Sequence, residues 1–128
     1  MRMCFVPLLT LFLLGGVQDA PATQLPEQVQ DRVQVFATCS GRFSAMAARA
    51  RSFREGDARE HERMRDTFDL LLEAILPYAP DLPQGQLKQW TARGWSETGL
   101  LLAARDKQQR RAQVQLTHRL DGCRALLL

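Results

Sequence analysis

Two cysteines, Cys39 and Cys123, are the residues whose type and position most directly predict chemistry in this chain. Cys39 lies in the middle of a stripe of apolar and small residues that recur every three or four positions, which is the spacing of one helix face. The stripe comprises Val29, Val33, Phe36, Cys39, Phe43, Met46, Ala50 and Phe53. We therefore expect Cys39 to point into a core, where a second thiol would form a disulfide in an oxidising compartment.

The start of the chain predicts such a compartment. Residues 1–3 carry a positive charge, residues 5–17 form an apolar run, and Ala20 and Ala22 are small residues at the −3 and −1 positions of a cleavage site. This is the layout of a secretory signal peptide. The apolar run is shorter than the roughly 20 residues that span a bilayer, and a membrane anchor is the less favoured interpretation.

We expect residues 1–22 to be removed and residues 23–128 to form one helical domain in the periplasm or outside the cell. Cleavage after Ala20 is the second choice. Cys4 leaves with the signal peptide, so the mature chain has two cysteines, which an exported protein normally pairs.

Histidine and methionine residues offer a weaker interpretation as a metal site. His61 and Met64 lie three positions apart and Met46 shares the helix of Cys39, and methionine with histidine suits periplasmic copper. The competing interpretation is that His61 is partly buried near the start of its helix, whereas His118 faces solvent. We predict no metal and no cofactor, and keep a metal- or redox-linked protein as the alternative function.

Catalytic motifs give no support for an enzyme. The sequence contains no C-x-x-C-H for covalent haem, no glycine-rich phosphate loop, and neither G-x-S-x-G nor H-E-x-x-H. Ser40 and Ser44 flank the apolar stripe, and we expect them at the surface or bonded to the helix backbone. The sequence therefore favours a non-enzymatic accessory or binding protein.

Helix signals predict the elements that carry these residues. The first helix should run from Thr23 to about Arg54, and residues 57–60 form a capping box that starts a second helix. This second helix must end near Leu76 because three prolines follow. Periodicity alone then allows one long helix from about Gln84 to Leu126, with Gly94 admitting a neighbouring helix closely.

The cysteine pair decides whether that last segment is one helix or two. A straight helix would place Cys123 about 45–50 Å from Cys39 at about 1.5 Å per residue, whereas a disulfide needs Cα atoms within about 7 Å. A turn in the polar run of residues 105–109 brings the cysteines level. The fourth helix then presents Ala112, Leu116, Leu120, Cys123 and Leu127. The prediction is an all-α, up-down-up-down four-helix bundle tied by one disulfide.

Charge patterning predicts a binding surface. The net charge of +3 is too small to indicate nucleic-acid binding. In the predicted bundle, however, two connections share one end, which collects ten basic and six acidic residues. The predicted binding residues of this end are Arg49, Arg54, Arg110 and Arg111. Its partner would be an acidic protein or an anionic membrane surface, and the competing interpretation is a solvated end with internal ion pairs.

The stretch from Phe36 to Ala45 resembles a group of small exported helical proteins of alphaproteobacteria, which share F-A-x-C-x-G-R-x-S-A and a cysteine near the C-terminus. The resemblance covers most of the mature chain, and it implies export and a cysteine pair. The group has no assigned activity, so it implies no mechanism. Arg42 is the polar residue of this stretch that we predict to bind a partner, because it is a cation one turn from a core cysteine.

Overall fold

The computed structural model describes the backbone of residues 21–128 and the side chains of residues 28–128. Within this range the chain is all-α, and the predicted four-helix bundle is confirmed. Its elements are α1 (Pro21–Phe53), α2 (Ala58–Ile75), a short 3-10 turn (Leu76–Tyr78), α3 (Gln86–Asp106) and α4 (Arg110–Ala125). Residues 1–20 of the predicted signal peptide lie outside the described residues, so its removal stays a prediction.

Local signals set the ends of α2. The carboxylate of Asp57 accepts a hydrogen bond from the backbone N–H of Arg59 at 3.0 Å, which satisfies one free donor of the first turn. At the other end the chain tightens into a 3-10 turn that contains Pro77. A proline cannot donate the next helical hydrogen bond, so α2 ends where the sequence predicts.

The break between α3 and α4 is confirmed at the predicted polar run. The backbone N–H of Lys107 bonds back to the carbonyls of Ala103 and Ala104 and closes α3. Gln108 then adopts a left-handed conformation with φ of 60°, and α4 begins at Arg110. Residues 107–109 together reverse the chain, so α4 runs back along α3 and brings Cys123 level with Cys39.

Helix α1 is the central element of the bundle. It packs against α2, α3 and α4, and none of its residues from Ala37 to Ala50 is exposed. The predicted single apolar stripe was therefore too narrow, because three helices cover this helix on several sides. The stripe was wrong at Phe53, which is 64% exposed in the last turn of α1.

Two glycines allow α1 and α3 to approach very closely. A Cβ atom on Gly94 would overlap the carbonyl oxygen of Thr38, and one on Gly41 would overlap the carbonyl oxygen of Thr91. Only glycine permits such an approach of two backbones. The close packing predicted at Gly94 is thus confirmed, and the two helices run parallel.

The core has two parts. The larger one draws on all four helices and contains Cys39, Phe43, Phe68, Leu102, Leu116, Leu120 and Cys123. The smaller one, near the proline-rich connection, contains Val33, Ala37, Leu72 and Ala79. The buried residues of α4 are those predicted from its spacing. Across the described part of the chain, the helices are too short or too polar to cross a membrane.

Candidate functional site

The predicted disulfide joins the first helix to the last. The Cα atoms of Cys39 and Cys123 lie 5.7 Å apart with the sulfur atoms bonded, and each residue is only 1% exposed. A disulfide buried in this way is shielded from external thiols, and it ties the first helix to the last. Its presence is compatible with an oxidising, extracytoplasmic location.

Arg42 lies directly beside this disulfide. Its Nη1 is 3.4 Å from Cys123 Sγ and donates a long hydrogen bond of 3.5 Å to the carbonyl oxygen of Arg119. Its Nε is buried and has no hydrogen-bond partner among the described residues. Burial and, secondarily, the charge of Arg119 lower the pKa of Arg42, and Glu97 partly offsets them.

A cavity opens beside Arg42 between α1 and α3. It has a volume of about 310 Å³ and is lined by Gln34, Val35, Thr38, Arg42, Arg93 and Glu97. Glu97 pairs with Arg119 of α4 at 2.8 Å. The cavity thus has three arginines and one carboxylate on it or next to it, and the carboxylate is already paired.

Sequence reasoning identified Arg42 in this cluster but missed its neighbours. The disulfide could have predicted the position of Arg119. Helices α1 and α4 are antiparallel, so a residue four positions before Cys123 lies level with Arg42, which is one turn after Cys39. The positions of Arg93 and Glu97 depend on the close α1–α3 packing. No spacing within one helix reports that packing.

Ion pairs stabilise one end of the bundle. This end holds the α1–α2 and α3–α4 connections. Arg49 makes two 2.7 Å hydrogen bonds to the carboxylate of Asp106 and a 3.0 Å bond to Glu55. Arg105 pairs with the other oxygen of Glu55. Hydrogen bonding to Arg49 lowers the pKa of Asp106. Arg49 also lies 3.9 Å above the Phe53 ring, so this predicted binding residue is occupied inside the fold.

The other cations of this end are largely free. Glu62 pairs with Arg51, and Asp66 pairs with Arg65. Six exposed cations form no ion pair among the described side chains: Arg54, Arg59, Arg63, Lys107, Arg110 and Arg111. We call these six residues the basic end. They include three of the predicted binding residues.

The possible metal ligands pack into the core. His61 stacks against Phe43 with ring centroids 6.2 Å apart, and Met46 and Met64 are half-buried against the larger core cluster. Burial lowers the pKa of His61. Among residues 28–128 no three His, Cys, Asp or Glu side chains form a group suited to a metal ion. His118 is exposed, as predicted.

The two serines differ from each other. Ser44 bonds the backbone carbonyl of Ser40 at 2.9 Å, which confirms the expectation for that residue. Ser40 instead is buried, and its hydroxyl donates a 2.6 Å hydrogen bond to the carboxylate of Asp69 on α2. The expectation for Ser40 was therefore wrong, because α2 packs over the face of α1 on which it lies.

These observations define the class of protein: a small all-α bundle of four helices, with a buried disulfide between the first and the last. No family model, curated protein or solved structure matches the chain.

Proposed function

We propose that this protein is a non-enzymatic, exported accessory protein that binds an anionic membrane surface through its basic end. The observation that carries the proposal is the set of six exposed cations without carboxylate partners at one end of the bundle. Export rests on the sequence layout of the first 22 residues and is compatible with the disulfide.

The charge of this end follows from how its carboxylates are used. Glu55, Asp106, Glu62 and Asp66 pair with the arginines that fasten the two connections. Asp57 caps α2. Of the six carboxylates at this end, Glu60 takes part in neither an ion pair nor a cap among the described residues. Ten basic residues stand against these six, so this end presents a positive potential to a partner.

An exposed aromatic side chain favours a membrane over an acidic protein. Phe53 lies next to Arg54 in the chain; Arg49 covers one face of its ring, and 64% of the residue is still exposed. Basic residues around an apolar or aromatic group are typical of proteins that rest on an anionic bilayer. The basic residues attract the headgroups while the ring enters the boundary between headgroups and acyl chains.

The expected affinity is modest. Each basic residue near an anionic membrane surface contributes about 1 kcal/mol at low salt. The Debye length falls from about 10 Å at 0.1 M salt to about 3 Å at 1 M, so the binding should be strongly sensitive to salt.

A non-enzymatic role is supported by the positions of the polar side chains that could otherwise act in catalysis. The Ser40 hydroxyl donates to Asp69, not to a histidine. His61 stacks on Phe43 instead of facing a nucleophile. Each of these groups has a structural role in the packing of α1 and α2.

Cosedimentation with vesicles tests the proposal. The disulfide-bonded protein from residue 23 onward should bind phosphatidylcholine vesicles that contain phosphatidylglycerol at low salt, and release them at high salt. Vesicles of phosphatidylcholine alone should not bind. The double variant Arg110→Gln/Arg111→Gln should lose most of this binding because it removes two of the six free cations.

The matched control is Arg32→Gln/Lys88→Gln, which removes two exposed cations outside the basic end and should bind as the native chain does. Phe53→Ser should weaken binding while preserving its salt dependence. Binding that does not depend on acidic lipid or salt would refute the membrane proposal. Crosslinking to an acidic envelope protein through Arg110 or Arg111, without vesicle binding, would identify the protein alternative.

A further inference from the structure

The cavity beside the disulfide has an excess of positive charge that the fold does not neutralise. Arg42 and Arg93 line it, and Arg119 adjoins Arg42 through its backbone carbonyl. The carboxylate of this cluster is Glu97, which Arg119 already binds at 2.8 Å. The four groups together carry a net charge of +2.

Arg42 is the unusual member of this cluster. Arginine keeps its proton under all ordinary conditions, so it cannot avoid the cost of burial by becoming neutral. Its hydrogen-bond acceptors are one sulfur atom at 3.4 Å and one carbonyl oxygen at 3.5 Å, and its Nε has no partner among the described residues. The charge of Glu97 is near but makes no hydrogen bond to it. A partly buried cation in this situation is destabilising unless an anion pairs with it.

We propose that this cavity binds a small doubly charged oxyanion of the phosphate or sulfate type. Guanidinium groups are the preferred protein donors for such anions because their planar N–H pairs match tetrahedral oxygens. The net charge of the cluster is equal in magnitude and opposite in sign to the charge of the dianion. A volume of about 310 Å³ accommodates the ion or a small molecule that carries it.

Glu97 opposes an anion, and the geometry indicates how this repulsion is limited. Its carboxylate lies on α3 and is directed to Arg119 of α4 by the 2.8 Å ion pair. Arg93 lies one helical turn before Glu97 and is exposed at the rim of the cavity. An incoming anion would therefore meet Arg93 first and Arg42 at the inner side.

This site is independent of the basic end. Arg42 lies in the middle of α1, beside the disulfide, whereas the basic end comprises the connections and the helix turns next to them. The phosphate of a lipid headgroup and free phosphate share one chemistry. Titration with inorganic phosphate and with vesicles distinguishes these two sources.

The test is a direct titration of the disulfide-bonded protein with inorganic phosphate, followed by NMR at about pH 8, where inorganic phosphate is mostly a dianion. Thermal shifts are unsuitable because phosphate and sulfate stabilise most proteins by exclusion from their surface. We expect saturable shifts of the Arg42 Nε–H signal and of the amides of Thr38 and Arg93. Acetate at matched ionic strength should bind at least about tenfold more weakly, since it carries a single charge.

Variants assign the effect to the cluster. Arg42→Gln should weaken phosphate binding at least about tenfold, the usual loss for a charge-assisted hydrogen bond. Arg93→Gln, at an exposed position, should weaken it less without affecting folding. Glu97→Gln should tighten it because it removes the opposing charge. Arg110→Gln/Arg111→Gln should leave it unchanged.

Three results would overturn the site. They are shifts that do not saturate, equal affinities for acetate and phosphate, or unchanged phosphate binding in both single variants, Arg42→Gln and Arg93→Gln. If Arg42→Gln fails to fold, as judged by circular dichroism, unchanged binding by Arg93→Gln overturns it. Loss of phosphate binding in Arg110→Gln/Arg111→Gln would reassign the anion to the basic end. Vesicle binding without phosphate binding would support the proposed function and refute this inference.

Discussion

Gly94 of α3 lies against Thr38 of α1 so closely that a Cβ atom on the glycine would come within 3.1 Å of the threonine Cα and overlap its carbonyl oxygen. Gly41 meets the backbone of α3 in the same way. The two parallel helices therefore touch through their backbones, and α1 occupies the centre of the bundle. This packing also fixes the position of Glu97 and Arg93 relative to Arg42.

Gly94→Ala should destabilise the protein strongly, because the clashing atoms are backbone and can move only if the helices separate. Overpacking of a core costs about 1–3 kcal/mol, and we expect the upper part of that range. Urea unfolding measures the loss. Gly99→Ala on the same helix is the matched control, since an added Cβ meets nothing within 4 Å. It should stabilise by up to about 1 kcal/mol, and equal effects of the two variants would contradict the packing.

Replacing both cysteines, Cys39→Ser/Cys123→Ser, should remove a large share of the stability. The disulfide closes a loop across 84 positions. It lowers the entropy of the unfolded chain, and in the chain-entropy model this stabilises the folded protein by about 4–5 kcal/mol. The free energy of unfolding in urea checks this, with the reduced native chain as the control. A loss below about 1 kcal/mol would show that packing alone holds α4 in place.

Gln108→Gly should stabilise the α3–α4 turn. Gln108 has φ of 60°, a conformation that costs a non-glycine residue about 1–2 kcal/mol. Glycine removes that strain but loses more entropy on folding, so we expect a net gain of about 0.5–1 kcal/mol in the free energy of unfolding. The control is Gln115→Gly, at an exposed position inside α4 without a positive φ, where glycine should destabilise by about 1 kcal/mol. Stabilisation by both variants would argue against relief of strain at residue 108.

His61 should make stability depend on pH. Burial lowers its pKa from the ordinary value of 6.5; the charge of Arg124 acts in the same direction, whereas Glu60 and Asp57 oppose it. Because the folded protein disfavours the protonated form, the stabilisation is complete above about pH 6.5 and declines as the pH falls through the lowered pKa. His61→Gln should flatten the fall in unfolding free energy between about pH 8 and pH 5.

His118→Gln is the matched control for this measurement, because it replaces an imidazole at an exposed position. Carboxylates contribute at the acid end of the same range. The comparison between the two histidine variants isolates the imidazole. An unchanged pH profile in His61→Gln would show that its burial has no energetic consequence.

Much of the fold could be predicted because local signals and the cysteine pair agree. The capping aspartate, the prolines after Leu76 and the apolar spacing of α4 are all readable within one element. The disulfide supplied the long-range information. It excluded a continuous helix after Gln84, because Cys39 and Cys123 could not otherwise meet, and so it predicted a turn that no strong helix breaker marks.

The candidate sites were only partly predictable. The excess charge at one end followed from the topology, but the sequence did not distinguish Arg49, which is neutralised by Asp106 and Glu55, from Arg110 and Arg111, which are not. Ion pairs between helices depend on the rotation of each helix about its axis. The spacing of apolar residues shows which face of a helix is buried. It does not fix the rotation finely enough to say which side chains on neighbouring helices meet.

The sequence by itself determined the helices, most of their ends and the pairing of Cys39 with Cys123, since these depend on neighbouring residues and on one covalent link. The tertiary structure alone decided which sides of α1 are covered, because backbone contact at Gly94 sets the distance between two helices. It also decided that Arg42 adjoins Arg119 and Glu97. That contact exists only where three separate helices converge, and no local pattern encodes it.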